Sequence, residues 1–337
     1  MRYINKKLFC AILVTVMFLG AVVPTIAGNT KETQISYAIA QTADFLLQAV
    51  PSPQLGSVGG EWAVIGLARS GHPLPQNFLN NYRAAIVRHL QDNNGVLDSR
   101  RHTEYSRVVL ALTAAGFNPQ NVAGFDLTLP LADFDATLRQ GINGPIFALL
   151  AFDSLGYTIP ASPNQATREM YVAEILRRQT MDGGWNLTAG INGPVSANER
   201  GDIDITGMAL QALAKYQYDE AVQAAIHRAL AFLSRSQRSD GGFAGGFSAN
   251  QATVESSVQV LVAITELGIA IDDPRFVKNG NTLVDNILSF QNPDGGFRHS
   301  QSRPETNIMA TEQALYGLVA AYRSLTGQSS LYRMGGR

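Results

Sequence analysis

Cysteine is all but missing: Cys10 is the only one in 337 residues. A disulfide framework or a cysteine-based metal site would need a second thiol that the sequence does not supply. An excess charge of one sign is missing too. Lysine and arginine number 26 against 27 aspartates and glutamates, so no basic excess marks a nucleic-acid partner. The five histidines, His72, His89, His102, His227 and His299, show no metal-ligand spacing. No Gly-x-Ser-x-Gly, P-loop or His-Glu-x-x-His run occurs. With 45% hydrophobic and 16% charged residues, the composition excludes a disordered tail, a collagen and a multi-span membrane protein. What remains is a mostly apolar globular protein, long enough to bury a large core.

The one long hydrophobic run stands at the start. Arg2, Lys6 and Lys7 precede an apolar stretch from Leu8 to Val23, which Pro24 breaks before Thr25-Ile26-Ala27. A basic start, a short apolar stretch and small residues at its end predict a secretory signal peptide over 1–27 and a mature chain of 28–337. The alternative is a retained anchor, for which the run is slightly short of the ~20 apolar residues a span needs. Removal takes Cys10 and three basic residues with it. The remaining 23 basic and 27 acidic side chains carry a formal charge of −4. The expectation is a secreted or cell-surface protein with no stable membrane span after processing and no nucleic-acid partner.

The rest of the chain repeats. Gln179-Thr-Met-Asp182-Gly183-Gly184-Trp185, Gln237-Arg-Ser-Asp240-Gly241-Gly242-Phe243 and Gln291-Asn-Pro-Asp294-Gly295-Gly296-Phe297 align, with their aspartates 58 and 54 residues apart. Each follows a stretch with apolar residues at helical spacing, such as Ile226, Leu230 and Leu233. Each precedes a polar loop and a second, more apolar helix, such as Met208 to Leu213. Weaker copies begin near Gln41, Leu90 and Asp135. Several second helices end at a glycine (Gly71, Gly116, Gly156, Gly268) suited to the left-handed stop. Six repeats of two helices predict an all-α protein of about twelve helices. The first helix of each pair is polar on one side and faces water; the second is apolar nearly all round and is buried. Six outside and six inside make a closed ring. The Asp-Gly-Gly-aromatic unit reads as the structural turn between them, its ring packed under the outer helix end.

This repeat resembles that of terpenoid cyclases and protein prenyltransferase β-subunits, a likeness that covers nearly all of 36–327 and is most specific from 168 to 323. It implies an α/α toroid of six helical hairpins, a fold shared by the vitamin B12 carriers intrinsic factor and transcobalamin. The fold hosts unrelated activities, so function rests on individual residues. Prenyltransferases hold a catalytic zinc with aspartate, cysteine and histidine; without a mature cysteine that activity is not expected. Class II cyclases such as squalene–hopene cyclase protonate an alkene with the middle aspartate of Asp-x-Asp-Asp-Thr-Ala. Here Asp202-Ile203-Asp204-Ile205-Thr206-Gly207 puts Asp204 at that middle position and replaces the last aspartate with Ile205. The structural alternative is that Asp202 and Asp204 cap a helix starting near Thr206.

Polar residues recur at the head of each second helix: Glu61, Glu104 with Tyr105, Asn143, Asp204, Glu255 and Glu312. Closure of the ring would gather them, with Asp202, around one mouth. Helix-dipole compensation accounts for acids there, as does a ligand pocket walled by Trp62, Tyr105, Phe147 and Met208. Three readings follow. The first is a secreted binding protein holding a hydrophobic small molecule, isoprenoid or corrinoid-like by the resemblance, with no metal or resident cofactor. The second is an isoprenoid cyclase acting through Asp204. The third is a cell-surface interaction module whose cavity is filled. Carboxylate pairs around such a ring could also serve glycoside hydrolysis.

Overall fold

Two kinds of helix alternate along the chain, as the repeat predicts. The computed structural model describes residues 30–246 and 251–335; the leader expected over 1–27 lies outside them. The outer helices are α1 (Lys31–Ala49), α3 (Phe78–Asp92), α5 (Phe134–Leu138), α7 (Arg168–Arg177), α9 (Glu220–Ser236) and α11 (Leu283–Leu288). The inner ones are α2 (Trp62–Ser70), α4 (His102–Ala114), α6 (Asn143–Asp153), α8 (Ile203–Leu213), α10 (Val254–Glu266) and α12 (Ile308–Leu325). Along α9 the buried positions are Val222, Ala225, Ile226, Ala229, Leu230 and Leu233, one face of a helix whose other side is wet. Every residue of α10 from Val254 to Glu266 is buried, because neighbours surround it. Each inner helix packs on the next in order, and α12 packs on α2, so the ring closes. The glycine stops behave as expected: Gly71, Gly116, Gly156 and Gly268 all have φ between 71° and 81°. Among the described residues no helix is long and apolar enough to cross a membrane.

The Asp-Gly-Gly-aromatic turns connect the outer to the inner helix in each of the last three repeats. In each, the aspartate Oδ1 accepts from the second glycine N–H, as Asp240 does from Gly242 at 3.0 Å and Asp294 from Gly296 at 3.0 Å. The aromatic ring is fully buried in all three, at Trp185, Phe243 and Phe297. Its N–H donates to a hydroxyl on the following inner helix: Thr206 at 2.9 Å, Ser257 at 3.2 Å and Thr311 at 2.8 Å. Its carbonyl accepts from the N–H of that helix's N-cap residue, Asp202 at 2.7 Å, Thr253 at 3.0 Å and Asn307 at 2.8 Å. The leading glutamine ties the turn to the next outer element. Gln179 Nε2 donates to Ala225 O of α9 at 2.9 Å, Gln237 to Phe276 O at 2.9 Å, and Gln291 to the Thr42 hydroxyl of α1 at 3.3 Å. The last of these joins the end of the chain to its beginning.

Both ends of the ring are partly closed. At the C-terminal ends of the inner helices, residues 328–335 fold across the opening. There Glu266 accepts from the Tyr332 N–H at 3.0 Å and the Ser330 hydroxyl at 2.7 Å, and Met334 N donates to Ser154 O at 2.6 Å. Leu331 and Tyr332 are buried in this plug. Along the axis, Trp62 of α2 meets Phe147 of α6 across the ring at 6.0 Å between centroids and Tyr316 of α12 at 5.6 Å. Aromatic side chains therefore meet along the middle of the toroid.

Candidate functional site

Asp202 and Asp204 stand two residues apart and do different things. The Asp202 carboxylate caps α8, with Oδ1 accepting from Ile205 N at 3.0 Å and Oδ2 from Gly246 N at 2.8 Å. This helix begins at Ile203, three residues before the expected start near Thr206, because Asp202 and not a later residue takes the cap. Asp204 falls in the first turn and caps nothing. Its Oδ1 is buried and has no hydrogen-bond partner among the described residues. Burial raises its carboxyl to about 6; the Ser256 hydroxyl offsets part of this, and the neighbouring Asp202 and Glu255 charges add to it.

Asp204 lines a cavity of about 520 Å³ between the N-terminal ends of α8, α10 and α12. Glu255 of α10 faces it, both carboxylate oxygens 2.9 Å from His299 Nδ1. Burial raises the Glu255 carboxyl while the histidine lowers it. Deeper in the wall Gln259 Nε2 donates to the Tyr316 hydroxyl at 2.6 Å and to Gln313 Oε1 at 3.1 Å, and Gln211 donates to Gln259. Met208 and Met309 supply an apolar side, and Arg303 stands at the rim. The loop 298–307 brings in His299 and Arg303.

The other half of the mouth is covered. Residues 53–60 fold over it, held by two buried carboxyls. Glu61 Oε1 accepts from Gly56 N at 3.0 Å, and Glu312 Oε1 accepts from Gly59 N at 2.7 Å. Both side chains are fully buried, with Tyr82 and Arg107 beside Glu61 at 3.4 and 3.5 Å. Burial raises each carboxyl to about 7; for Glu312 the nearby Glu61 charge adds to it. Glu312 Oε2 is buried without a partner among the described residues.

The residues expected to share one mouth thus part into groups. Asp204, Glu255 and Met208 line the open cavity, and Asp202 caps the helix beneath it. Glu61 and Glu312 lie under the 53–60 cover, and Trp62 and Phe147 pack on the axis. Glu104 pairs with Arg107 and Arg101. Tyr105 turns away, its buried hydroxyl accepting from Leu97 N at 2.9 Å. Asn143 begins α6, and its Oδ1 is buried without a partner among the described residues. His299 and Arg303 gave no sequence signal, since they sit in a loop with no periodicity. The only hint of Gln259 and Gln313 was polarity at inner positions of apolar helices. Among the described residues, no three histidine, aspartate or glutamate side chains gather as a metal set.

Residues 196–323, the stretch that builds this cavity, match the model of the squalene-hopene cyclase C-terminal domain. No curated protein sequence matches the chain. Among solved structures, Candida albicans protein geranylgeranyltransferase-I complexed with GGPP aligns with a TM-score of 0.57 and 14% identity, over 85% of this chain and 91% of that one. Unsaturated glucuronyl hydrolase from Bacillus sp. GL1 aligns with a TM-score of 0.58 and 13% identity, over 90% and 100%. Type II terpene cyclase MstE from Scytonema aligns with a TM-score of 0.51 and 15% identity, over 86% and 99%. At such identities these likenesses establish the fold alone. The chain has the α/α-toroid fold seen in terpenoid cyclases and prenyltransferase β-subunits, and residues 196–323 are similar to the squalene-hopene cyclase C-terminal domain.

Proposed function

We propose that the protein is an exported binding protein that holds a compact small molecule at the rim of its toroid and does not transform it. The observation that carries this reading is the placement of free space. About 520 Å³ opens between α8, α10 and α12, within the range of small-molecule sites, while Trp62, Phe147 and Tyr316 pack against one another on the axis behind it. A long polyprenyl chain, of the kind the Candida and Scytonema relatives handle, would need that axis. The space suits a short apolar body against Met208 and Met309 with a polar end among the carboxyls. The wall supports binding without turnover, because a carbocation formed there would meet Gln259, Ser256 and the Glu255–His299 pair and be quenched. Ile205, in place of the last aspartate of the cyclase motif, favours the same reading. Export rests on the leader-like sequence of 1–27.

A second reading has one observation in its favour. Asp204 keeps its proton up to about pH 6 and has a buried oxygen without a partner among the described residues, as a general acid should. The two are separated by incubating the purified protein with linear polyprenols, their diphosphates, corrinoids and short-chain amphiphiles. Intact-complex mass spectrometry reports what is retained, and extraction reports what has changed. Retention of an unchanged compound is expected. A product of the substrate's mass, or of that mass plus water, that disappears in Asp204→Asn would establish catalysis instead.

A further inference from the structure

We infer that the rim cavity selects a cation: a protonated amine on a short apolar body, its charge against Asp204 and Glu255 and its body against Met208 and Met309. This rests on the binding role proposed for the same cavity and names the class of its ligand.

Most polar atoms around the cavity already have partners. Asp202 uses one oxygen on Ile205 N and the other on Gly246 N. Glu255 has His299. Asp204 lines the cavity, and its Oδ1 is buried without a hydrogen-bond partner among the described residues, a state that costs about 1–3 kcal/mol if nothing compensates it. A ligand cation against the carboxyl compensates it.

Charge decides what kind of donor. Around this point α8 brings Asp202 and Asp204, α10 brings Glu255, the 298–307 loop brings His299 and Arg303, and α12 brings only the neutral Gln313. Two carboxyls, Asp204 and Glu255, line one wall and the Asp202 carboxylate lies beneath it, with His299 bonded to Glu255 and Arg303 exposed at the rim. The N-termini of α8 and α10 favour ionised acids, yet burial and the neighbouring carboxylates outweigh them and hold the Asp204 proton on to about pH 6. A cation reverses that balance, since it is attracted to all three carboxyls and draws the proton off Asp204. A hydroxyl does neither. The methionine side chains are polarizable and adapt to alkyl groups, and they give the uncharged part of the ligand a surface.

The consequence is a coupled proton. Below pH 6 the Asp204 carboxyl is neutral and attracts an ammonium weakly; above it the carboxylate pairs with the cation, which remains protonated throughout. Binding near pH 6 therefore releases a proton.

Titration calorimetry of the purified protein tests this with two probes, hexylammonium and the neutral hexanol. Hexylammonium should bind about tenfold more tightly at pH 7.5 than at pH 5, with a buffer-dependent heat at pH 6 that reports proton release. Asp204→Asn should remove that pH dependence and most of the affinity for hexylammonium, a far larger loss than any it causes for hexanol. A melting temperature close to that of the parent protein confirms that the variant folds. Glu255→Gln gives a second, independent loss of hexylammonium binding. Hexanol binding as tightly as hexylammonium at pH 7.5, or an unaltered pH dependence in Asp204→Asn, overturns the cation preference but leaves the binding role. No retention of either probe or of any compound in the wider mixture removes both.

Discussion

Three buried carboxyls behave unlike ordinary surface acids, and their acidities link the site to stability. Glu61 and Glu312 are pushed to about 7 and Asp204 to about 6 by burial. An acid whose folded value lies above its unfolded one is protonated in the native state first. Between its unfolded value, 4.5 for the two glutamates and 3.8 for Asp204, and its folded one, the native state binds more protons, so stability falls as pH rises through that window. Native stability should therefore decline from about pH 5 to pH 7.5, by a few kcal/mol for the buried pair together. Asp98, Asp182, Asp273 and Asp285, whose carboxyls are held below their usual range, act oppositely and lose stability only at more acidic pH. Urea melts across this range check the slope, and Glu61→Gln with Glu312→Gln should flatten it. A slope unchanged in the double variant would show that these two acids are not its source.

Elements are joined by the glutamine–Asp-Gly-Gly turns, and the joint that closes the ring leaves no room for a side chain at Gly295. Gly295 has φ 88°, and a Cβ there would lie 2.6 Å from the Gln41 carbonyl oxygen of α1. Gly295→Ala meets both the left-handed conformation and the collision, and should cost about 1–3 kcal/mol. Its melting temperature against that of Ser239→Ala, at an exposed turn position, measures this. The same turns explain what the sequence reveals of the fold. Repeats 4 to 6 declare themselves because Trp185, Phe243 and Phe297 each need the same glycines and the same hydroxyl beneath them. Repeats 1 to 3 lack the motif, and their inner helices start differently: Glu61 lies under a cover of residues 53–60 that no periodicity announces. Hence the ring is readable from alternating apolar patterns, but the equivalence of Glu61, Glu104 and Asn143 with Asp204 and Glu255 is not. Position along a helix does not say what a loop lays across its end. The cavity wall from 298–307 is hidden for the same reason.

For the whole molecule, the ring is sealed at one end by its own tail and open at the other over half its mouth. Glu266 anchors the seal, buried and bonded to Ser330, the Tyr332 N–H and Arg333, whose Nε lies 3.4 Å away. Glu266→Ala would leave that N–H without its acceptor and should lower stability by about 2 kcal/mol while sparing the rim cavity. Denaturant unfolding measures the first effect and ligand retention the second. Such a molecule is a cup partly closed at its base, and the rim cavity is where the proposed ligand sits.

The most direct test of that claim is a cavity-filling variant, Met208→Trp, compared with Ala231→Trp on the outer face of α9, in the same intact-complex measurement. Filling the rim should abolish retention of the bound compound, and the distant substitution should leave it unchanged. Retention that survives Met208→Trp would place the ligand elsewhere and contradict the account.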